Sequence, residues 1–181
     1  MNPARPLYPR PLFRHCPRCA REAGSGDDGR RFVCPHCDFR YYHNVAAAVA
    51  AVVVHDGALL ITHRAHAPAL GTLDLPGGFV DPGEAPQDAL ARELAEELGW
   101  ATLPAPLVFH HGAPNHYEYA GVRYATCDLF FRLDPATRPP LAPADDVAHA
   151  EWRALDTLEP AAFGMASVRE VVSRLRPMPG T

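Results

Sequence analysis

The chain contains no lysine, and all seventeen of its Lys and Arg positions are arginine. This reads as a compositional bias and carries no functional weight. Absent too is an apolar run of the roughly 20 residues that span a bilayer. The longest candidate, VAAAVAAVVV at 45–54, stops at His55-Asp56-Gly57, so no membrane-spanning helix and no membrane partner are expected. The N-terminus, MNPARPLYPRPLFRHCPRC, has arginines but lacks the continuous apolar segment of a secretory signal, so a cytoplasmic location is expected. No internal repeat is seen. What is present is a chain of 181 residues, 48% apolar and 21% charged, the composition of a folded domain with a small appendage.

Charge divides unevenly. Residues 1–43 hold eight arginines against Glu22, Asp27, Asp28 and Asp38, a formal +4, and the remainder carries −8, which together give the net −4. So acidic a main domain would repel a polyphosphate unless divalent metal intervenes. Residues 1–12, rich in proline, read as an extended arm, 13–43 as a cysteine-bearing module and 44–181 as the main domain. Within the latter, VAAAVAAVVV and ALLITH flank His55-Asp56-Gly57, a hairpin signal. LPGG at 75–78 reads as a strand end. Leu90, Leu94 and Leu98 recur every four residues between Pro86 and Gly99, which predicts a short amphipathic helix. PLVFHHG, HYEY and VRYATCDLFFRL read as three strands, the last two turning at Ala120-Gly121. TRPPLAPADD reads as a loop, VAHAEWRAL as a final strand, and Ser167-Val168-Arg169-Glu170 as a capping box opening a helix to about Leu175.

The stretch RELAEELGW at 92–100 crowds Glu93, Glu96 and Glu97 into an arc of about 100° beside the leucine stripe. Like charges three or four residues apart cost a few tenths of a kcal/mol per pair on an exposed helix and more where desolvated. A hard cation such as Mg²⁺ or Mn²⁺, which takes oxygen ligands and substrate phosphates, would compensate; a solvated acidic face is the plain alternative.

The wider context decides between them. From Gly78, GFVDPGEAPQDALARELAEELGW runs as Gly-x5-Glu-x7-Arg-Glu-Leu-x-Glu-Glu-x-Gly-apolar without a gap. Ordinary residue frequencies put a chance match at roughly one in a billion per window. The pattern resembles the Nudix box, with Trp100 at its usually aliphatic last place, a departure expected to affect packing more than chemistry. The resemblance implies an α/β (α+β) fold, a Nudix α/β/α sandwich with a mixed β-sheet. It implies that Gly78 offers its carbonyl to the metal, that Glu93 and Glu97 are direct ligands, and that Glu96 binds a further ion or a metal-bound water. Arg92 and Glu84 would orient that shell as an ion pair. Glu96 or Glu97 would take the proton of the attacking water. A carboxylate from outside the box is expected too, with Asp145, Asp146 and Glu118 as candidates and Asp146 preferred by its place before the final strand. Arg64 resembles an arginine that contacts phosphate; a surface role is the alternative.

Cys16-Pro-Arg-Cys19 and Cys34-Pro-His-Cys37, 14 residues apart, have zinc-ribbon spacing. Four thiolates would close a tetrahedral Zn²⁺ site, making it structural; iron fits the same ligands, and disulfides are the lesser reading. Cys127, among apolar neighbours, reads as a buried free thiol. A zinc ribbon before a Nudix box resembles the NADH pyrophosphatase group, but that group's SQPWPF is missing, so NADH, ADP-ribose and FAD stand level as substrates. Asn115, Tyr117, Tyr119 and Tyr124 are candidates for contacting a base, with sheet packing as the alternative for the tyrosines, and Phe79 either contacts substrate or packs beneath the site. The implied activity is divalent-metal-dependent hydrolysis of a nucleoside diphosphate linked to another group, releasing a nucleoside monophosphate. The family resemblance also implies a homodimer. Competing readings are a nucleotide-sensing or nucleic-acid-binding module, suggested by the +4 N-terminal segment although nucleic acid is not the expected partner, and a housecleaning nucleoside triphosphate pyrophosphatase.

Overall fold

Asp56 and Gly57 both take positive φ (47° and 68°), the geometry of a two-residue hairpin whose twist matches its strands. In the computed structural model, which describes residues 13–24, 28–119 and 122–175, this turn joins two of the central strands. The elements in chain order are β1 (Arg31–Val33), β2 (Arg40–Tyr42), β3 (Ala46–His55), β4 (Ala58–Arg64), β5 (Leu73–Asp74), β6 (Gly77–Phe79), α1 (Pro86–Leu98), β7 (Val108–Tyr119), β8 (Val122–Leu133), β9 (Val147–Ala154) and α2 (Ala166–Leu175). The described residues of Met1–Val45 and Tyr117–Ala125 form one compact unit, and those of Ala46–His116 and Thr126–Thr181 another.

In the first unit β1 and β2 pair antiparallel, Arg31 opposite Tyr42. The larger sheet runs β5-β4-β3-β8-β7, with β6 paired to β3 and β9 to β4. β3 lies parallel to β8 and antiparallel to β4 and β6, which makes the sheet mixed. Strand side chains alternate in direction. Val49, Ala51 and Val53 join one core cluster with Ala89, Leu90, Leu94 and Leu98 of α1, so Val52 and Val54 point the other way, and they too are buried. The opposite face receives α2, whose Ser167 reaches Asp128, the partner of Ala48 in the β3–β8 register. The sheet is therefore covered by a helix on each side. Fully burying a leucine stabilises by about 1.5–3 kcal/mol, and Leu90, Leu94 and Leu98 are each no more than 1% exposed; that stripe fixes α1 and thereby its acidic edge.

Several expectations change. PLVFHHG and HYEY are one strand, β7, at the end of the strand order, the kind of place where a proline such as Pro114 is tolerated. Gly77-Gly78 do not close a strand: β5 ends at Asp74 and the glycines open β6. Ser167 is not an N-cap, since α2 starts at Ala166 and the Ser167 hydroxyl, 1% exposed, donates to Asp128 instead. Cys127 is partly exposed. The 1–12 arm and the Ala120-Gly121 turn lie outside the described residues.

Candidate active site

Gly77, at φ 147°, lies so close to β3 that a Cβ there would overlap the Val49 carbonyl, and a Cβ on Gly78 would overlap the Glu93 carboxylate. Glycine at 77 lets the chain pass this close to β3, and glycine at 78 leaves room for the Glu93 carboxylate where it now stands. The Gly77 amide donates to Glu97 Oε2 at 2.8 Å. Glu97 is only 5% exposed, and burial first, then the charges of Glu93, Asp74 and Asp146, push its carboxyl up to about 8 against the Gly77 amide. Burial likewise raises Glu93, with Glu96 and Asp145 adding to the effect and Arg92 opposing it.

Arg92 is the hub of this edge. Its Nε and Nη2 each donate to Glu84 at 3.1 Å, Nη2 also reaches the Phe79 carbonyl at 3.1 Å, and Nη1 donates to Glu93 at 2.7 Å and Glu96 at 3.2 Å. The paired guanidinium holds Glu84 below the usual carboxylate range, and the carboxylates raise Arg92. Arg92 and Glu84 thus form the expected ion pair.

Helix α1 ends at Gly99 in the left-handed conformation (φ 74°), and the next segment of the site docks there. The Ala144 and Ala142 amides donate to the Glu97 and Leu98 carbonyls, both at 3.1 Å, while Ala65 N donates to the Asp146 carbonyl at 2.9 Å. Asp145, at φ 55°, turns the chain between them. The loop thereby carries two aspartates to the acid edge, where Asp145 acts on Glu93 and Asp146 on Glu97. Glu118 is exposed, in the other unit.

The remaining expected contacts fare differently. Arg64 is largely buried rather than a surface side chain: Nη1 donates to Asp74 at 2.8 Å and Nε to the Pro68 carbonyl at 2.7 Å. Asn115 donates to Asp128 at 3.0 Å. Phe79 is 38% exposed, beside the site; Tyr124 is 38% exposed and, with Tyr117 and Tyr119, belongs to the other unit. Sequence reasoning missed two buried acids, Asp74 and Asp128. Burial raises Asp74 against its Arg64 partner, and Asp128 accepts from Asn115, Thr126 and Ser167. The signal was an isolated acid inside an apolar strand, in TLDLP and CDLFF.

Two groups of side chains could hold metal. Among the described residues, Cys16, Cys19, Cys34 and Cys37 are the group whose ligand atoms all lie within 4.8 Å of one another. Cys16 and Cys37 sulfurs stand 3.8 Å apart and those of Cys19 and Cys34 3.7 Å. A tetrahedron with metal–sulfur bonds of about 2.3 Å has edges of about 3.8 Å, whereas a disulfide needs about 2 Å. Each knuckle also turns an amide onto its first sulfur, Arg18 N and His36 N at 3.4 Å. The box carboxylates spread wider, around Gly78 and Arg92. Their donors are all oxygen, with Glu97 buried and Glu93 nearly so beside the more exposed Glu96 and Asp146, a set that fits a hard divalent cation.

The NUDIX domain family matches residues 43–175. The chain is 31% identical over 125 residues to an ADP-ribose pyrophosphatase of Methanocaldococcus jannaschii, covering 69% of this chain and 71% of that one. It is 28% identical to the NAD-capped RNA hydrolase NudC of Stutzerimonas stutzeri over 60% of this chain, spanning only 42% of that relative's length. A NUDIX hydrolase from Nitrosomonas europaea shares the fold with a TM-score of 0.64 at 20% identity, over 90% of this chain and 89% of that one. No helix among the described residues is long and apolar enough to cross a membrane. With its box carboxylates gathered on one helix edge and the family match covering most of its length, the chain belongs to the NUDIX family.

Proposed function

We propose that this chain hydrolyses the pyrophosphate bond of a nucleoside diphosphate joined to another group, in the presence of Mg²⁺ or Mn²⁺, releasing a nucleoside monophosphate. The observation that carries this reading is the buried Glu97, charge-loaded by Glu93, Asp74 and Asp146. Glu93, Glu97, Asp146 and the Gly78 carbonyl would hold the ion, and Glu96 a further ion or its water. Bound there, the metal supplies charge neutralisation on the phosphates and a water of lowered pKa. Glu97 Oε2 is engaged by Gly77, which leaves Oε1 to take a ligand or a proton, with Glu96 as the other candidate base. Arg92, fixed by Glu84, sets the rotamers of Glu93 and Glu96.

ADP-ribose leads the substrates, because the relative bearing that name is covered over 71% of its length; NADH and FAD follow. Residues 13–43 form a zinc ribbon in this reading, its ion structural, and 44–181 the hydrolase domain, acting as a homodimer. The test is product identification by chromatography and mass spectrometry after incubation with ADP-ribose, NADH, NAD, FAD and a nucleoside triphosphate, each with Mg²⁺ or Mn²⁺. AMP from one dinucleotide or nucleotide-sugar supports the reading, and no metal-dependent product from any of them overturns it. Elemental analysis and sedimentation of the same preparation check the zinc and the dimer.

A further inference from the structure

Trp100 occupies the last place of the box, and its ring is 6% exposed in the cluster that includes Leu98 and Val147, with Leu141 packed against it. An aliphatic side chain could fill that volume. It could not do what the indole's polar edge does, which is to donate from Nε1 to the Pro140 carbonyl at 2.9 Å.

Pro140 opens the segment that ends in Asp145 and Asp146. Pro139, Pro140 and Pro143 have no amide hydrogen, so those three positions offer no backbone donor to fasten the segment. Among its attachments, His66 Nε2 stands 3.8 Å from the Asp146 carboxylate. Arg138 lies 5.4 Å over the Trp152 ring at one end, the amides of Ala142 and Ala144 meet the last carbonyls of α1, and Ala65 N holds Asp146 at the other end. The Trp100 N–H supplies the donor at the stretch where the prolines supply none.

We propose that Trp100 is a positioning residue for the catalytic metal: its indole N–H clasps the proline-rich segment across the end of α1 and so sets where Asp145 and Asp146 stand against Glu93 and Glu97. The inference rests on the reading of those carboxylates as the metal site. Trp100 touches neither ion nor substrate; it acts through the loop.

The experiment is a calorimetric Mn²⁺ titration of the full chain carrying Trp100→Phe, which keeps an aromatic ring but loses the donor, and Trp100→Leu, which restores the aliphatic character usual at this place. Both are expected to weaken Mn²⁺ about three- to tenfold, the worth of one hydrogen bond, with faster amide exchange at Ala142 and Ala144. In a chain already carrying Asp145→Asn and Asp146→Asn, Trp100→Phe is expected to add no further loss, because the groups it positions are gone. Wild-type Mn²⁺ affinity in both Trp100 variants, or an equal additional loss in the double-asparagine background, overturns the proposal. Glu97→Gln in the same titration separates the two levels: unchanged affinity there would sink the metal-site reading itself, whatever Trp100 does.

Discussion

The Gly77 amide donates to the Glu97 carboxylate across 2.8 Å, joining the start of β6 to the most deeply buried acid of α1. The contact fixes one oxygen of Glu97 but does not offset burial, and the carboxyl sits near 8 against an ordinary 4.5. Between those values the metal-free folded chain holds a proton that the unfolded chain has lost. The stability from this group is therefore fully present below 4.5 and is lost as pH rises through 8, by up to about 1.4 kcal/mol per pH unit. A divalent ion must displace the same proton. Mn²⁺ affinity should rise about tenfold per pH unit below 8 and level off above it; calorimetry in buffers of different ionisation enthalpy would count the proton released. An affinity flat from about pH 6 to 8 would contradict the assignment.

Gly78→Ala places a methyl group on the Glu93 carboxylate. Displacing one proposed ligand while leaving α1 packed should weaken Mn²⁺ about 10- to 100-fold, with far-ultraviolet circular dichroism unchanged. Equal loss of metal affinity and of helix would instead mean that the glycine serves the fold alone.

Ser167 distinguishes two structures for the start of α2. As a donor to buried Asp128, its replacement by alanine should cost about 1–3 kcal/mol, and by aspartate considerably more, since two carboxylates would then share one buried site. A capping serine would tolerate aspartate nearly without loss. Urea denaturation of Ser167→Ala and Ser167→Asp gives the order.

Arg64 offers a similar contrast. Removing it leaves Asp74, 8% exposed, as an uncompensated buried acid, so Arg64→Ala should lower stability by about 3–5 kcal/mol without metal or substrate present. An arginine that only met phosphate would raise KM and leave the melting temperature unmoved.

Helix α1 was legible because its determinants are local: a proline at its start, leucines every fourth residue, a left-handed glycine at its end, and charges at fixed spacing between them. The Asp56-Gly57 hairpin and the cysteine spacing were legible for the same reason. What escaped was set by tertiary contact. Ser167 satisfies the local pattern of a cap, yet a buried aspartate 39 residues away takes its hydroxyl. Arg64 looks exposed until Asp74, ten residues on, folds back against it. Trp100 reads as a packing variant until the carbonyl 40 residues downstream is seen. The lone acids in TLDLP and CDLFF hint that Asp74 and Asp128 need partners, but nothing in residue spacing says which.

The most direct test of the account is the turnover of Glu97→Gln beside the unaltered chain, at saturating Mn²⁺, on whichever dinucleotide or nucleotide-sugar yields AMP. Glutamine keeps the shape and the acceptor for Gly77 but removes the charge that would bind metal or take a proton. The account predicts a fall in kcat of about 10²- to 10⁴-fold with the fold intact; turnover unchanged within twofold would contradict it.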